Sequence, residues 1–148
     1  MVSPLTRALE TAAGAFAGVR VPFVAHELAR EHLGVHPCDR RRPLAELSRR
    51  WPAVDWSLME SEEDALWHPH ERETDAQLAA RAAAVCAWLE ERPETHVALV
   101  GHSSWLNLLF QHSLGSCSAE SAVAMRRWFA NGEARLLLFC YSFANRGC

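Results

Sequence analysis

The sequence has little of several features that each mark a class of protein. It contains no long run of basic residues and its net charge is −3, so general nucleic-acid binding has little support. It contains no apolar run of about 18 residues, the length that a membrane-spanning helix needs, so no membrane partner is expected. The composition, with 49% hydrophobic and 22% charged residues and no internal repeat, is that of a globular domain.

The five cysteines are scattered, and no two of them form a C-x-x-C pair. No signal-peptide pattern opens the sequence, and this combination predicts reduced thiols in a cytoplasmic protein. Zinc binding is conceivable through Cys38, His68 and His70, but their spacing fits no standard zinc site. We therefore expect no metal centre.

One stretch in the C-terminal half is the most informative. Residues 97–100 are apolar without polar alternation, which predicts a buried parallel strand. Gly101 permits a turn, and Ser103 or Ser104 can cap a helix that follows. His102 would then lie at the C-terminal end of a strand, where open α/β sheets bind ligands, beside helix N–H groups that favour an anion. A histidine buried in the core is the alternative.

The rest of the chain predicts alternating helices and strands. Helices are expected over residues 3–18, with Ser3 as cap, 44–50, 74–92 and 118–129, and strands over residues 19–25 and 135–141. Thr74 and Gln77 form a predicted capping box. The order predicts an α/β fold, a three-layer and mainly parallel sheet with helices on both faces. Val2 reads as the last residue of a first strand that is otherwise missing. Residues 1–148 are taken as one domain, incomplete at its N-terminus, in which a loop insert over residues 35–74 covers the site.

The turn at residues 101–103 also suggests a serine-hydrolase elbow, G-x-S-x-G, with Ser103 as nucleophile. Its fifth position is Trp105 instead of glycine. The order Ser, acid, His is also unavailable, because the one histidine after Ser103 is His112 and no acidic residue lies between them. This interpretation is therefore disfavoured.

A second resemblance fits better. Residues 3–12 read SPLTRALETA, which resembles the S-P-L-x-R-A-x-x-T-A signature of the histidine phosphatase superfamily, the phosphoglycerate mutase-like proteins. Residues 97–106 resemble the second-histidine segment of that family, and residues 30–34 resemble its acidic segment. Residues 38–42, 64–67, 72–74 and 129–135 look like a plant- and alga-type branch. The resemblance covers nearly the whole chain.

The resemblance implies phosphoryl transfer through a phosphohistidine, without metal or other cofactor. In that family a second histidine and two arginines hold the phosphoryl oxygens, and a Glu or Asp protonates the leaving oxygen. Arg7 matches the second arginine and His102 the second histidine, and Ser103 is grouped with them as phosphate-binding. Glu31 is the first choice for the proton donor and Glu27 the second.

Residues 40–42 are three consecutive arginines, which either contact an anionic substrate or form a solvated charged run. The nucleophilic histidine of the family lies in an R-H-G motif, and none of the eight histidines here follows an arginine. We therefore expect a phosphomonoester hydrolase of the histidine phosphatase type, acting on a small phosphorylated substrate, that is inactive or weak as given. A phosphate-binding pseudoenzyme with a regulatory role is the alternative. The substrate and the oligomeric state stay open.

Overall fold

The structure is a computed structural model and describes residues 1–113 and 118–138. Its helices are α1 (Thr6–Ala15), α2 (Leu44–Arg50), α3 (Asp75–Glu90), α4 (Ser103–Ser113) and α5 (Ala119–Arg126). Its strands are β1 (Phe23–Val24) and β2 (Val54–Asp55), and two 3₁₀ turns lie at Glu27–Ala29 and Pro37–Asp39. Within the described ranges, no helix has the length and apolar character needed to cross a membrane.

Short extended segments form a parallel arrangement at the centre. β1 pairs with β2 in parallel, with Phe23 opposite Val54. Val2 forms parallel bridges to Ala25 on one side and to Val100 on the other. The segments therefore lie in the order 54–55, 23–25, 1–3 and 98–100. Val2 is fully buried between its neighbours, which confirms its assignment to a strand and, together with the helices, the α/β class.

Two apolar clusters hold the helices in place. α3 packs against α4 through Leu78, Ala82 and Val85, which recur at helical spacing and are 1%, 0% and 0% exposed. Trp105 of α4 is buried in the same cluster. The second cluster joins α1 to α2 and the parallel segments and consists of Val2, Ala8, Leu9, Ala12 and Leu47.

The prediction of a fully buried strand over residues 97–100 is wrong. Val97 is 38% exposed, Ala98 is exposed and Leu99 and Val100 are partly exposed. The physical reason is that, among the described residues, this segment is paired on one side only, where Ser3 N–H donates to Val100 O at 2.9 Å. Gly101 is needed for close packing, because a Cβ there would lie 3.0 Å from the ring of Trp105.

Three further boundaries differ from the predictions. α1 begins at Thr6 and no side chain caps it, because Ser3 still belongs to the extended segment. The strand over 19–25 is reduced to Phe23–Val24 and the bridge at Ala25. The strand over 135–141 is wrong for residues 135–138, which have no regular structure, and residues 139–141 lie outside the described part. The guanidinium of Arg135 donates to Met125 O and Trp128 O at 3.0 Å each, which ties the start of this segment to the chain around α5.

The prediction of helix Leu44–Arg50 is confirmed, and so is the capping box of Thr74 and Gln77 that opens α3. The helix expected over 118–129 is the shorter α5. The insert, residues 35–74, contains the 3₁₀ turn Pro37–Asp39, α2 and β2 and is otherwise irregular.

Buried ion pairs fix the insert to the rest of the domain. Arg30, which is fully buried, donates to both carboxylate oxygens of Asp64 at 2.7 and 2.6 Å. Arg41, 2% exposed, donates to Glu27 at 2.8 Å and to backbone carbonyls of residues 61–63. These bonds satisfy polar groups that a loop would otherwise leave unpaired in the interior.

Candidate functional site

The parallel order of the segments brings the motif residues together. Residues 1–3 and 98–100 run side by side and end at the same edge, so Ser3 and His102 meet there. The Nε2 of His102 lies 2.8 Å from Ser3 Oγ. Arg7, in the first turn of α1, donates from Nε to His102 Nδ1 at 3.2 Å. Two residues that are 95 positions apart in sequence are thus in direct contact.

The contact with Arg7 fixes the proton on the ring of His102. A guanidinium nitrogen only donates, so Nδ1 must be the bare, accepting nitrogen. The neutral ring therefore carries its proton on Nε2 and donates it to Ser3 Oγ. Burial, reinforced by the charge of Arg7, lowers the pKa of His102 from 6.5 to about 3. His102 is consequently uncharged at neutral pH, with one nitrogen donating and the other accepting.

The insert supplies the other two partners of Arg7. Nη1 of Arg7 donates to the carbonyl of Cys38 at 2.5 Å, and Nη2 donates to Asp39 Oδ1 at 2.8 Å. An arginine has five N–H donors, and these bonds with His102 use three. The two remaining donors have no partner among the residues that the structure describes. The side chain of Arg7 is 44% exposed, so an anion can approach it from solvent.

Arg7 faces a cleft of about 670 Å³ between α1 and the insert. Arg40 and Arg42 line the same cleft. Arg42 pairs with Glu46 at 2.9 Å, and the guanidinium of Arg40 lies 5.4 Å from the ring centre of Trp67. Arg41 does not line it as a free cation, because its donors are used inside the network that holds the insert. The three consecutive arginines therefore divide into two surface residues and one structural residue.

Glu31 lies at the start of α4. Its carboxylate accepts N–H groups of Ser104 at 3.3 Å and of Trp105 at 3.2 Å. The sequence predicts an anion at this helix N-terminus, and the carboxylate of Glu31 takes that place. It accepts from backbone N–H groups that a helix otherwise leaves unpaired. Neither Ser103 nor Ser104 is needed as the cap. Glu31 is brought next to the helix that follows His102, and its role as proton donor stays a prediction.

The other two predicted residues have different surroundings. Glu27 accepts from Arg30 at 3.0 Å and from Arg41 at 2.8 Å, so both of its oxygens serve the buried network. Ser103 is the first residue of α4 and is exposed. The structure thus brings Arg7 and His102 together, places Glu31 and Ser103 at the adjoining helix end, and engages Glu27 elsewhere.

Three contacts of the site were not predicted. Ser3 was interpreted as a helix cap. Cys38 was considered as a zinc ligand and within a run that resembles a family branch, and Asp39 was noted only within that run. Asp39 carried one usable signal, an acidic residue directly before three arginines in the insert. No pattern in the sequence indicates that a backbone carbonyl, that of Cys38, would bind Arg7.

Comparisons with known proteins identify the family of the chain. Residues 1–130 match the Histidine phosphatase superfamily (branch 1). The chain is 36% identical to Phosphoglycerate mutase-like protein 1 of Arabidopsis thaliana, over 92% of this chain and 58% of that protein. It is 32% identical to a second Arabidopsis thaliana protein, Phosphoglycerate mutase-like protein, over 93% of this chain and 61% of that protein.

A shorter match is to Probable phosphoglycerate mutase of Arthroderma benhamiae, 38% identical over 53% of this chain and 25% of that protein. No solved structure matches the chain. The chain spans 58% and 61% of the length of the two Arabidopsis relatives. On the match over residues 1–130, the chain belongs to the histidine phosphatase superfamily.

Proposed function

We propose that this chain carries the phosphate-binding part of a phosphomonoester hydrolase site of the histidine phosphatase type. The observation that carries the proposal is the direct contact of Arg7 Nε with His102 Nδ1 at 3.2 Å, at the edge where the parallel segments end. Membership of the superfamily supports it. The substrate in this proposal is a small phosphomonoester that enters from the cleft beside Arg7.

The arrangement suits a phosphoryl group for electrostatic reasons. The guanidinium of Arg7 is planar and always charged, and its two remaining N–H donors can each bond a phosphoryl oxygen. His102 is neutral, so it holds Nε of Arg7 without adding a competing charge. Phosphoryl transfer depends mostly on positioning and charge stabilisation, and these residues would supply both. Glu31 is the proposed proton donor to the leaving oxygen, with Ser103 at the rim.

The nucleophile is the incomplete part of this proposal. The resemblance implies a histidine in an R-H-G motif, and the sequence has none. We therefore propose that the chain as given has weak activity or none. The same observation favours a second candidate, a phosphate-binding pseudoenzyme in which Arg7 and His102 bind an anion without chemistry.

We also propose how the sheet and the insert are arranged around the site, and where the protein is located. The full three-layer sheet is the architecture we expect around the four parallel segments. The insert, residues 35–74, acts as a wall of the site, which is supported by the bonds from Arg7 to Cys38 and Asp39. We place the protein in the cytoplasm, without a cofactor.

The test is phosphate release from p-nitrophenyl phosphate, measured for this chain and for a form extended upstream of Met1 in the reading frame. Turnover only in the extended form, lost in Arg7→Gln and kept in Arg50→Gln, would support the hydrolase. Arg50 is a matched control, since it is an exposed arginine paired with Glu10 at 2.7 Å. Turnover that persists in Arg7→Gln would contradict the assigned role. Phosphate binding without turnover in either form would favour the pseudoenzyme.

A further inference from the structure

Asp39 has an unusual position for a carboxylate beside a phosphate-binding arginine. It accepts from Arg7 Nη2 at 2.8 Å, and its side chain is only 6% exposed. A negative charge at this distance would be expected to repel a phosphoryl group and to compete with it for Arg7. The question is whether Asp39 competes with the ligand or holds the arginine for it.

The surroundings of Asp39 prevent it from moving aside. Its backbone N–H donates to His36 O at 3.0 Å within the 3₁₀ turn, and its carbonyl accepts from the fully buried Arg30 at 2.8 Å. Its second carboxylate oxygen accepts from Arg72 Nη1 at 3.2 Å. Backbone and side chain are both held, so the carboxylate is a fixed acceptor.

Asp39 uses only part of what Arg7 offers. It takes one N–H of Nη2, while Cys38 O takes one N–H of Nη1 and His102 takes Nε–H. Three acceptors on three nitrogens fix the plane of the guanidinium. Within the described part of the chain, the second N–H of each terminal nitrogen has no partner. A carboxylate that competed with the ligand would take these donors as well, whereas Asp39 leaves one N–H of Nη2 unused.

We propose that Asp39 is a positioning residue, which orients the guanidinium of Arg7 so that its two remaining N–H groups meet a phosphoryl group. The inference rests on the proposed function, and it gives the insert a defined task. Arg72 extends the arrangement: it binds Asp39 Oδ2 and also Gly34 O at 2.7 Å, so it fixes the acceptor that fixes Arg7.

The sign of one affinity change separates positioning from competition. Asp39→Asn removes a negative charge next to the site, which by charge alone should strengthen phosphate binding. If Asp39 positions Arg7, the variant binds inorganic phosphate about tenfold more weakly, since a charge-assisted hydrogen bond that orders the donor is lost. Glu10→Gln is the matched control, because it removes a charge on the same helix from a residue that pairs with Arg50 instead.

The experiment is a calorimetric titration of the full chain with inorganic phosphate, combined with ¹H–¹⁵N spectra of the Nε–H group of Arg7. We expect weaker phosphate binding by Asp39→Asn, unchanged or slightly tighter binding by Glu10→Gln, and a shifted or lost Arg7 Nε–H signal in Asp39→Asn only. Equal or tighter phosphate binding by Asp39→Asn would overturn the inference.

Two further outcomes separate a failure of this inference from a failure of the proposed function. If the wild-type chain does not bind phosphate, the proposed function fails. The Arg7 Nε–H signal then still tests the role of Asp39, because an unchanged signal in Asp39→Asn would overturn the inference that Asp39 positions Arg7. If Asp39→Asn does not fold, Arg72→Gln replaces it, because Arg72 contacts Asp39 without touching Arg7. That variant should show the same spectral change and a smaller loss of affinity, and a wild-type spectrum and affinity would contradict the inference.

Discussion

The helical pair α3 and α4 and two segments of the insert, residues 39–41 and 61–64, are held by different kinds of interaction. Leu78, Ala82 and Val85 of α3 lie in an apolar interior with Trp105 of α4. These segments are held through charged side chains that are just as buried: Arg41 is 2% exposed, and Arg30, which binds Asp64 of the insert, is 0% exposed. Leu47 of α2 also packs into the second apolar cluster. The insert therefore combines apolar packing with directed bonds, whereas α3 and α4 meet through apolar area removed from water.

This difference explains how an irregular segment, the insert, can contribute to the candidate site. Apolar packing tolerates small shifts and conservative exchange, whereas a buried ion pair requires its partners at set distances. Arg30 joins Asp64 to the backbone of Asp39, and Asp39 contacts Arg7. These bonds fix the position of Asp39 relative to Arg7. An apolar contact would fix that position less precisely.

We expect the largest effect from a substitution at the centre of the buried polar network. The bonds from Arg30 and from the N–H of Arg41 hold the pKa of Asp64 below its usual range, although burial opposes this. Asp64→Asn keeps the shape but leaves the buried charge of Arg30 poorly compensated. We expect a loss of about 3–5 kcal/mol in unfolding free energy, measured by urea denaturation. A loss below about 1 kcal/mol would mean that the insert is not held by this pair.

The second prediction concerns acid and the neutral His102. Its pKa is lowered in the folded state, so the unfolded chain binds the proton more readily below pH 6.5, and folding stability falls as pH drops from 6.5 towards 3. At pH 5 the contribution of His102 is a loss of about 2 kcal/mol. His102→Gln cannot titrate and should lose correspondingly less stability between pH 7 and about pH 5, followed by thermal melts. Identical pH profiles for both proteins would be evidence against a buried neutral ring.

The third prediction concerns the cap at the start of α3, a helix of the apolar region. Thr74 Oγ1 accepts from Gln77 N at 3.3 Å, and Gln77 Oε1 accepts from Thr74 N at 2.9 Å. Thr74→Ala removes the cap of α3 and should lower the unfolding free energy by about 1 kcal/mol, measured by urea denaturation. Thr95→Ala, at an exposed threonine outside the helices, is the control and should change little. A larger loss in Thr95→Ala than in Thr74→Ala would refute the capping assignment.

The smallest effect is expected for an ion pair on the surface. Arg42 and Glu46 pair at 2.9 Å with side chains 57% and 36% exposed. Glu46→Gln should lower the unfolding free energy by less than about 0.5 kcal/mol, under the conditions used for Asp64→Asn. The contrast between the two acid-to-amide exchanges measures what burial adds to an ion pair. Equal losses would remove that contrast.

The parts of the fold that the sequence predicts best are those governed by periodicity and caps. The α3 helix follows from Leu78, Ala82 and Val85 at helical spacing and from the Thr74 box, and both are confirmed. The segment 97–100 shows the limit of the same reasoning. Apolar composition indicates an extended chain, but whether one side or both are paired depends on neighbours that the local sequence does not name.

The candidate site was predictable where it resembled a family motif and unpredictable where it depends on directed bonds across the chain. The resemblance singled out Arg7 and His102, and the structure places them in contact. The roles of Ser3 and Asp39 follow from parallel pairing and from the buried network around Arg30. Both are long-range consequences of folding, so no spacing rule within either segment could have indicated them.

Phosphate binding at the contact between Arg7 and His102 is tested most directly by a titration with inorganic phosphate, followed by ¹H–¹⁵N signals of the His102 ring and the Nε–H of Arg7. We expect saturable shifts of both signals that disappear in Arg7→Gln and persist in the control Arg50→Gln. Phosphate binding that leaves both signals unmoved, or that is equally tight in Arg7→Gln, would contradict binding at this contact.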